Sequence, residues 1–402
     1  MNLERIINTD IEFIDGDRGQ NYPSKSDFFA NEYCVFLNTG NITKNGFDFS
    51  KLDFITEEKD KSLRKGKVKI DDIILTTRGT VGNVALVTES IKYPNMRINS
   101  GMVIIRSKKD FTPLFLNIFF RSELFKKQAL TNGSGSAQPQ LPISALKNIS
   151  IPKLDKKTQA KITSVLSALD EKIALNNQIN ATLEQMAKTL YDYWFVQFDF
   201  PDDNGKPYKS SGGEMVYNET LKRDIPKGWE VKEIQDFCRI FTGKKDVNQA
   251  SEMGQYKFFS CAPNFKYSNE KLFEGKAILV SGNGSYTGRT IFVNDAFDLY
   301  QRTYAVVSKT DLDVLEYIFY SMLRSFVPKV SGGTHGSAIP YIVFNDIAKE
   351  TILFHENVVD RFMHIIINIQ KQVIDLSEQN YKLTEMRDWL LPMLMNGQVT
   401  VQ

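Results

Sequence analysis

A chain of 402 residues, 42% hydrophobic and 24% charged, has the composition of a water-soluble globular protein and is too long for one ordinary core, so two or three compact units are expected. A net charge of +2, with 21 Lys and Arg against 17 Asp and Glu in residues 1–152 and 19 against 19 in residues 200–352, excludes a polybasic chain, so any basic surface has to come from geometry. Three isolated cysteines, Cys34, Cys238 and Cys261, exclude a disulfide framework and a paired-cysteine zinc site and read as buried free thiols; with no signal-peptide start and no long apolar run, no membrane partner and a cytoplasmic location are expected.

Short apolar runs alternate with turn signals over residues 1–152. Residues 32–42, 68–79, 83–88 and 101–107 read as strands, and 112–130 as a helix. The order then returns, with strands over 229–234, 276–284, 289–293 and 304–308 and a helix over 312–326. In each half a glycine- and serine-rich loop follows, TNGSGSAQPQLP in the first and SGGTHGSAIPY in the second. A short return then leads into a long helix of heptad pattern.

The first long helix is expected from about Asp155, its N-cap, to Phe195. Its seam reads Ile162, Leu166, Leu169, Ile173, Asn176, Asn180, Leu183, Ala187, Leu190 and Trp194. The second runs from about Val358 to Met395 and stops at Asn396 and Gly397, with Pro392 expected to kink or break its last turn. Its seam, 200 residues on, reads Phe362, Ile366, Ile369, Val373, Leu376, Asn380, Leu383, Arg387, Leu390 and Leu394. Each seam needs a mate. Because a whole α/β domain lies between them, the mate is the other copy in the same chain, and the pair is antiparallel. The expected fold is α+β, with two pseudo-symmetric mixed α/β domains (1–152 and 229–354) separated by a coiled coil of two long helices (153–197 and 355–402) and a connector at 198–228. From residue 162 to 194 the seam would be about 48 Å long. Asn176, Asn180 and Asn380 at its middle are open to three readings: fixing register, meeting another subunit, or mere tolerance.

Signs of catalysis are few. SGNGSYTGRT has the glycines of a phosphate loop, but Gly284 and Gly288 are wrongly spaced and Arg289 stands where a lysine is required. His335, His355 and His364 show no metal-ligand spacing. The acid pairs Asp71–Asp72 and Asp202–Asp203 read as turns. What remains is hydrogen-bonding capacity in loops: Thr76 to Asn83 between two strands, and Ser281 to Arg289 at the equivalent place in the second half. Arg, Asn, Gln, Ser and Thr are the side chains that read base edges and phosphates.

At this point the chain resembles the specificity subunit of type I restriction-modification systems. The resemblance covers the whole chain and is carried by LYDYWFVQFDFPDDNGKPYKSSGGEMV, IPKGWEV, GSGSAQPQLPISALKNISIPKLD, GGTHGSAIPYIVFNDI and RDWLLPMLMNGQV, and its start, IDGDRGQNYPS, looks like a recurrent type of first domain. The first half lacks the IPKGW lead-in of the second, which leaves the placement of its earliest element open. The resemblance implies a target recognition domain in each half, each reading half of a bipartite, asymmetric double-stranded DNA target. The helices would set the gap and dock two modification subunits, with restriction subunits completing the complex. It implies no cofactor in this chain, with S-adenosylmethionine, ATP and Mg on the partner subunits. The expected DNA-contacting set is Arg18, Lys25, Thr77, Arg78, Thr80, Asn83, Ser134, Ser136, Gln138 and Gln140 in the first half, and Lys244, Lys245, Asn283, Ser285, Tyr286, Arg289, Thr334, His335 and Tyr341 in the second. A module of a fused restriction-methylation or phage-defence system and a coiled-coil protein adaptor are the alternative readings. A DNA methyltransferase or nuclease would need a cofactor motif or several hundred further residues.

Overall fold

The computed structural model describes residues 3–44, 46–132, 140–336, 338–395 and 398–399. The stop expected at Asn396 and Gly397 lies outside the described residues. The chain forms two compact units, residues 1–174 with 381–402, and residues 175–380.

The first unit holds a four-stranded antiparallel sheet of β1 (Ile11–Asp15), β2 (Ile73–Thr76), β3 (Val84–Leu86) and β4 (Met102–Ser107), in the order β1-β4-β2-β3. In the second unit β5 (Cys238–Thr242), β6 (Phe273–Ser281), β7 (Thr290–Leu299) and β8 (Thr303–Ser308) run β5-β8-β6-β7, the same topology. Tyr256–Phe259 extends this sheet, parallel to the far half of β7. In the first unit the matching strand, Cys34–Leu37, pairs in parallel with Met96–Ile98. One ten-residue strand of the second unit therefore corresponds to two short ones, interrupted by a segment containing Pro94, which has no N–H to give a ladder. The missing lead-in is also resolved. Leu3–Arg5 pairs antiparallel with Ser150–Pro152, as Glu230–Glu233 does with Thr351–Phe354.

The central strands are mainly apolar, in Ile73–Leu75 and Met102–Ile105, because both faces are covered there. Ile73, Leu75, Val103 and Ile105 pack with Phe115 and Phe119 of the helix α1 (Pro113–Arg121), while Ile74, Met102 and Ile104 pack with Val35, Leu37 and Ile98. The helix expected over 112–130 is in fact two helices. At Ser122 the backbone turns extended, and its hydroxyl donates to Phe119 O (2.6 Å) and accepts from Phe125 N–H (3.1 Å), which offers the chain an alternative to continuing the helix.

The first long helix, α2 (Lys156–Tyr191), begins after Asp155, whose carboxylate accepts from Thr158 N–H (2.9 Å). Later in the chain the second unit contributes the helix α3 (Leu315–Ser321). The second long helix, α4 (Glu356–Met395), runs through Pro392 rather than stopping there. So close to the end a proline removes one hydrogen bond and leaves little helix to disrupt. In the first unit Ile162, Leu166 and Leu169 pack with Leu390, Leu391 and Leu394, and Arg387 Nη1 donates to Asp170 Oδ1 (2.8 Å). In the second, Asn176 Nδ2 donates to Asn380 Oδ1 (2.9 Å), Asn180 Nδ2 to Ser377 Oγ (3.1 Å), and Trp194 and Phe195 meet Phe362. In both, partner numbers fall along α4 as they rise along α2, so the segments are antiparallel. The seam positions Ile173, Leu183, Leu190, Ile369, Leu376 and Leu383 are half-buried, and Ile366 and Val373 are buried. Beyond Tyr191 the helix widens into a π turn, Asp192–Val196, which lets Trp194 and Phe195 both enter the core.

The segment 198–228, expected as a connector, is packed. Phe198, Phe200 and Ile225 join Trp229 in the second unit's core, and Met215–Asn218 pairs with Arg223–Pro226 as a hairpin. Aromatic anchors hidden among Pro, Gly and charged residues account for the difference.

Candidate nucleic-acid interface

Equivalent backbone bonds mount the same loops in each unit. The N–H groups of Thr77 (2.8 Å) and Arg78 (3.1 Å) both donate to Gly101 O, and Leu141 N–H donates to Thr77 O (3.1 Å). In the second unit Gly282 N–H donates to Arg302 O (2.8 Å) and Ile342 N–H to Gly282 O (3.0 Å). A Cβ on Gly282 would stand 2.3 Å from Arg302 O, so only glycine allows this approach. The bonds align Arg78 with Asn283, Gly101 with Arg302, and Gln140 with Tyr341.

In the first unit Asp15, Arg18, Thr77, Arg78 and Gln140 line a cleft of about 190 Å³. Arg18 donates to Asp15 (3.3 Å) and Ser100 O (3.2 Å). The Thr77 hydroxyl is buried and donates to Gly101 O (3.0 Å); Thr80 donates to Thr39 O (3.3 Å) and Asn83 Nδ2 to Ile42 O (2.8 Å). Thr77 and Asn83, expected as DNA contacts, thus spend their side chains on holding the loop. Arg78 and Gln140 are exposed. Lys25 is exposed in a separate turn, Lys25–Asp27, and does not line the cleft. Ser134, Ser136 and Gln138 lie outside the described residues.

In the second unit the loop 282–289 is tied to the segment 338–342 and that segment to His335: Gly284 N–H donates to Pro340 O (3.0 Å) and Tyr341 N–H to His335 O (3.0 Å). The His335 ring stacks on Tyr341 at 5.2 Å, its Nε2 lies 3.3 Å from Asp346, and the Thr334 hydroxyl donates to the same carboxylate (3.0 Å). Asn283 Oδ1 accepts from Cys261 Sγ (3.2 Å). Lys244, Ser285 and Tyr286 are exposed.

In the second unit Lys245 and Arg289, also expected as contacts, are engaged inside the fold. Lys245 Nζ donates to Asp298 (2.7 Å) and Ser268 (3.0 Å); burial disfavours its ammonium, yet Asp298 and Glu270 hold the charge and raise its pKa. Arg289 points back at Ala262 O (3.4 Å) and Pro263 O (3.3 Å), and burial lowers its pKa. Against the expectation of buried thiols, Cys261 is half-exposed beside Asn283, whereas burial pushes Cys34 and Cys238 up to about 12. Exposed Arg302 was missed by the sequence reading. Nothing in LYQRTY separates it from an ordinary turn arginine, and only the pairing with Gly282 puts it in this loop cluster. Among the described residues no group of three or more His, Cys, Asp or Glu could hold a metal ion, and no helix is long and apolar enough to cross a membrane.

Residues 10–185 and 226–376 match the family model of the type I restriction modification DNA specificity domain, one stretch for each half. The chain belongs to this specificity family. Specificity-family relatives include the MjaIX specificity subunit of Methanocaldococcus jannaschii, 27% identical over 351 residues that cover 82% of this chain and 78% of the relative. The HindI specificity subunit of Haemophilus influenzae is 25% identical over 471 aligned residues, covering 96% and 99%. The fold is similar to that of the type I restriction-modification S subunit from M. genitalium, with a TM-score of 0.57 at 13% identity, covering 98% of this chain and 95% of that one. As a member of the specificity family the chain is a DNA-recognition subunit of a type I restriction-modification system, and is not itself an enzyme.

Proposed function

We propose that each unit reads one half of a bipartite, asymmetric double-stranded DNA target through the loops that join β2 to β3 and β6 to β7. The observation that carries this reading is one backbone scaffold bearing different side chains: Arg78 and Gln140 in the first unit stand where Asn283 and Tyr341 stand in the second. A shared scaffold serves a shared task, and different donors and acceptors select different base edges. In this reading α2 and α4 set the gap between half-sites and dock two modification subunits. Those subunits carry S-adenosylmethionine and methylate an adenine in each half, and restriction subunits bring ATP and Mg. The complex works in the cytoplasm.

The test is to co-express the chain with a type I modification subunit and to map methylated adenines across the host genome. A two-part motif with a fixed gap is expected. Methylation without any bipartite motif would refute the proposal.

A further inference from the structure

Resting on the DNA-reading role proposed above, the inventory of partners around the first cleft narrows that role to one side chain. Arg18 is held by Asp15 and Ser100 O, and nearby Arg64 lies 3.7 Å from Asp17. Arg78 differs. Its guanidinium makes no hydrogen bond or ion pair among the described residues and is exposed at the cleft edge. Yet its backbone is anchored: its own N–H and that of Thr77 donate to Gly101 O, and Thr77 O accepts from Leu141. A planar set of donors is thus presented from a rigid base, so only side-chain freedom is lost when it engages a ligand.

We propose that Arg78 is a specificity-determining residue that reads a guanine of the first half-site by donating to O6 and N7 in the major groove. Two observations favour a base edge over a phosphate. Arg18 and Asp15 neutralise each other, which leaves one uncompensated charge among the described residues that line the cleft, where a phosphate clamp gathers several. Its neighbour on the cleft is Gln140, a neutral side chain suited to base edges. The equivalent position of the second unit carries Asn283, whose Oδ1 is already bonded to Cys261, so this guanine requirement belongs to one half of the target.

The experiment uses full-length Arg78→Lys and Arg78→Gln, each co-expressed with the modification subunit and followed by methylated-adenine mapping. Both variants lose the two-pronged fork. Both are expected to relax one G·C position in one half-site by about 10- to 100-fold and to leave the other half unchanged. Asn283→Ala should alter only that other half. Should Arg78→Lys keep the wild-type motif while Arg78→Gln methylates it more weakly throughout, Arg78 contacts phosphate and the proposal is wrong. It is equally wrong if neither variant changes the motif, or if both halves change. For a variant that methylates nothing, gel shifts decide: retained binding to mixed-sequence DNA with lost preference for the wild-type site supports the assignment, and loss of both overturns it. A wild-type chain yielding no bipartite motif removes the half-site reading itself, whereas a wild-type motif with unchanged variants removes only Arg78.

Discussion

The asparagine layer of the helix pair offers a sharp test of what polar seam residues do. Asn176 is fully buried; its Nδ2 donates to Asn380 Oδ1 (2.9 Å), while its own Oδ1 has no partner among the described residues. Asn380 Nδ2 in turn donates to Asn177 Oδ1 (2.8 Å). Replacing Asn176 alone by Leu removes an unpaired buried carbonyl and buries an aliphatic side chain, a gain of about 1.5–3 kcal/mol, but Asn380 Oδ1 loses that donor at a cost of about 1–3 kcal/mol. The single variant should therefore be near neutral. In Asn176→Leu/Asn380→Leu the acceptor that lost this donor goes as well, and a net stabilisation of about 1–3 kcal/mol is expected. At about 2–4 °C per kcal/mol for a unit of this size, the melting midpoint should rise by roughly 2–12 °C, read by calorimetry on the full chain. The layer's benefit would then lie in specificity, since heptad positions without a polar residue can slip by about 10 Å, one heptad of rise. A gap of mixed length in the methylated motif is the accompanying expectation. A double variant that melts below the wild type would refute this reasoning, because it would make the amide network a source of stability.

Other outcomes can be checked separately. Asp60 is buried against Arg97 (2.6 Å) and Lys67 (2.6 Å); desolvation raises its pKa, but hydrogen bonds from Lys67 and Arg97 outweigh it and hold the carboxyl below its usual value. Its stabilisation is complete above the unfolded pKa of about 3.9 and is lost as pH falls through the depressed folded value, so Asp60→Asn should cost about 3–5 kcal/mol in urea unfolding at pH 7 and less below the carboxylate range. No narrowing of that difference in acid would contradict the ion-pair account. Four residues inserted into both α2 and α4 keep nearly the same face and lengthen the pair by about 6 Å, so the unread gap should grow by about one or two base pairs; an unchanged gap in the methylated motif would rule out the spacer role.

The doubled heptad seam was legible because a helix face repeats in sequence, and the seam positions are buried or half-buried as their spacing requires. The central strands were legible as apolar runs for a related reason: with cores on both sides, every residue of Ile73–Thr76 and most of Met102–Ser107 is buried. Short edge elements escaped notice. Leu3–Arg5 has no apolar pattern of its own and becomes a strand only by pairing with Ser150–Pro152, nearly the whole domain away in sequence. The connector misled in the same way, since its polar composition conceals Phe198, Phe200 and Ile225, whose burial depends on Trp229 and the hairpin around them.

For the two loops proposed to read DNA, sequence and structure contributed differently. Sequence located both loops, because glycine-rich stretches between strand patterns mark turns, and their recurrence marked them as equivalent. It could not rank their side chains. Arg78 and Arg289 look alike along the chain, but the fold leaves the first guanidinium without a partner among the described residues, at a cleft, and turns the second onto Ala262 O and Pro263 O. Lys245 likewise reads as a basic contact until Asp298 is brought beside it by strand pairing. Local pattern determines which residues share a helix face or a turn. Only tertiary structure decides which polar groups are already satisfied, because hydrogen-bond partners are brought together from distant parts of the chain.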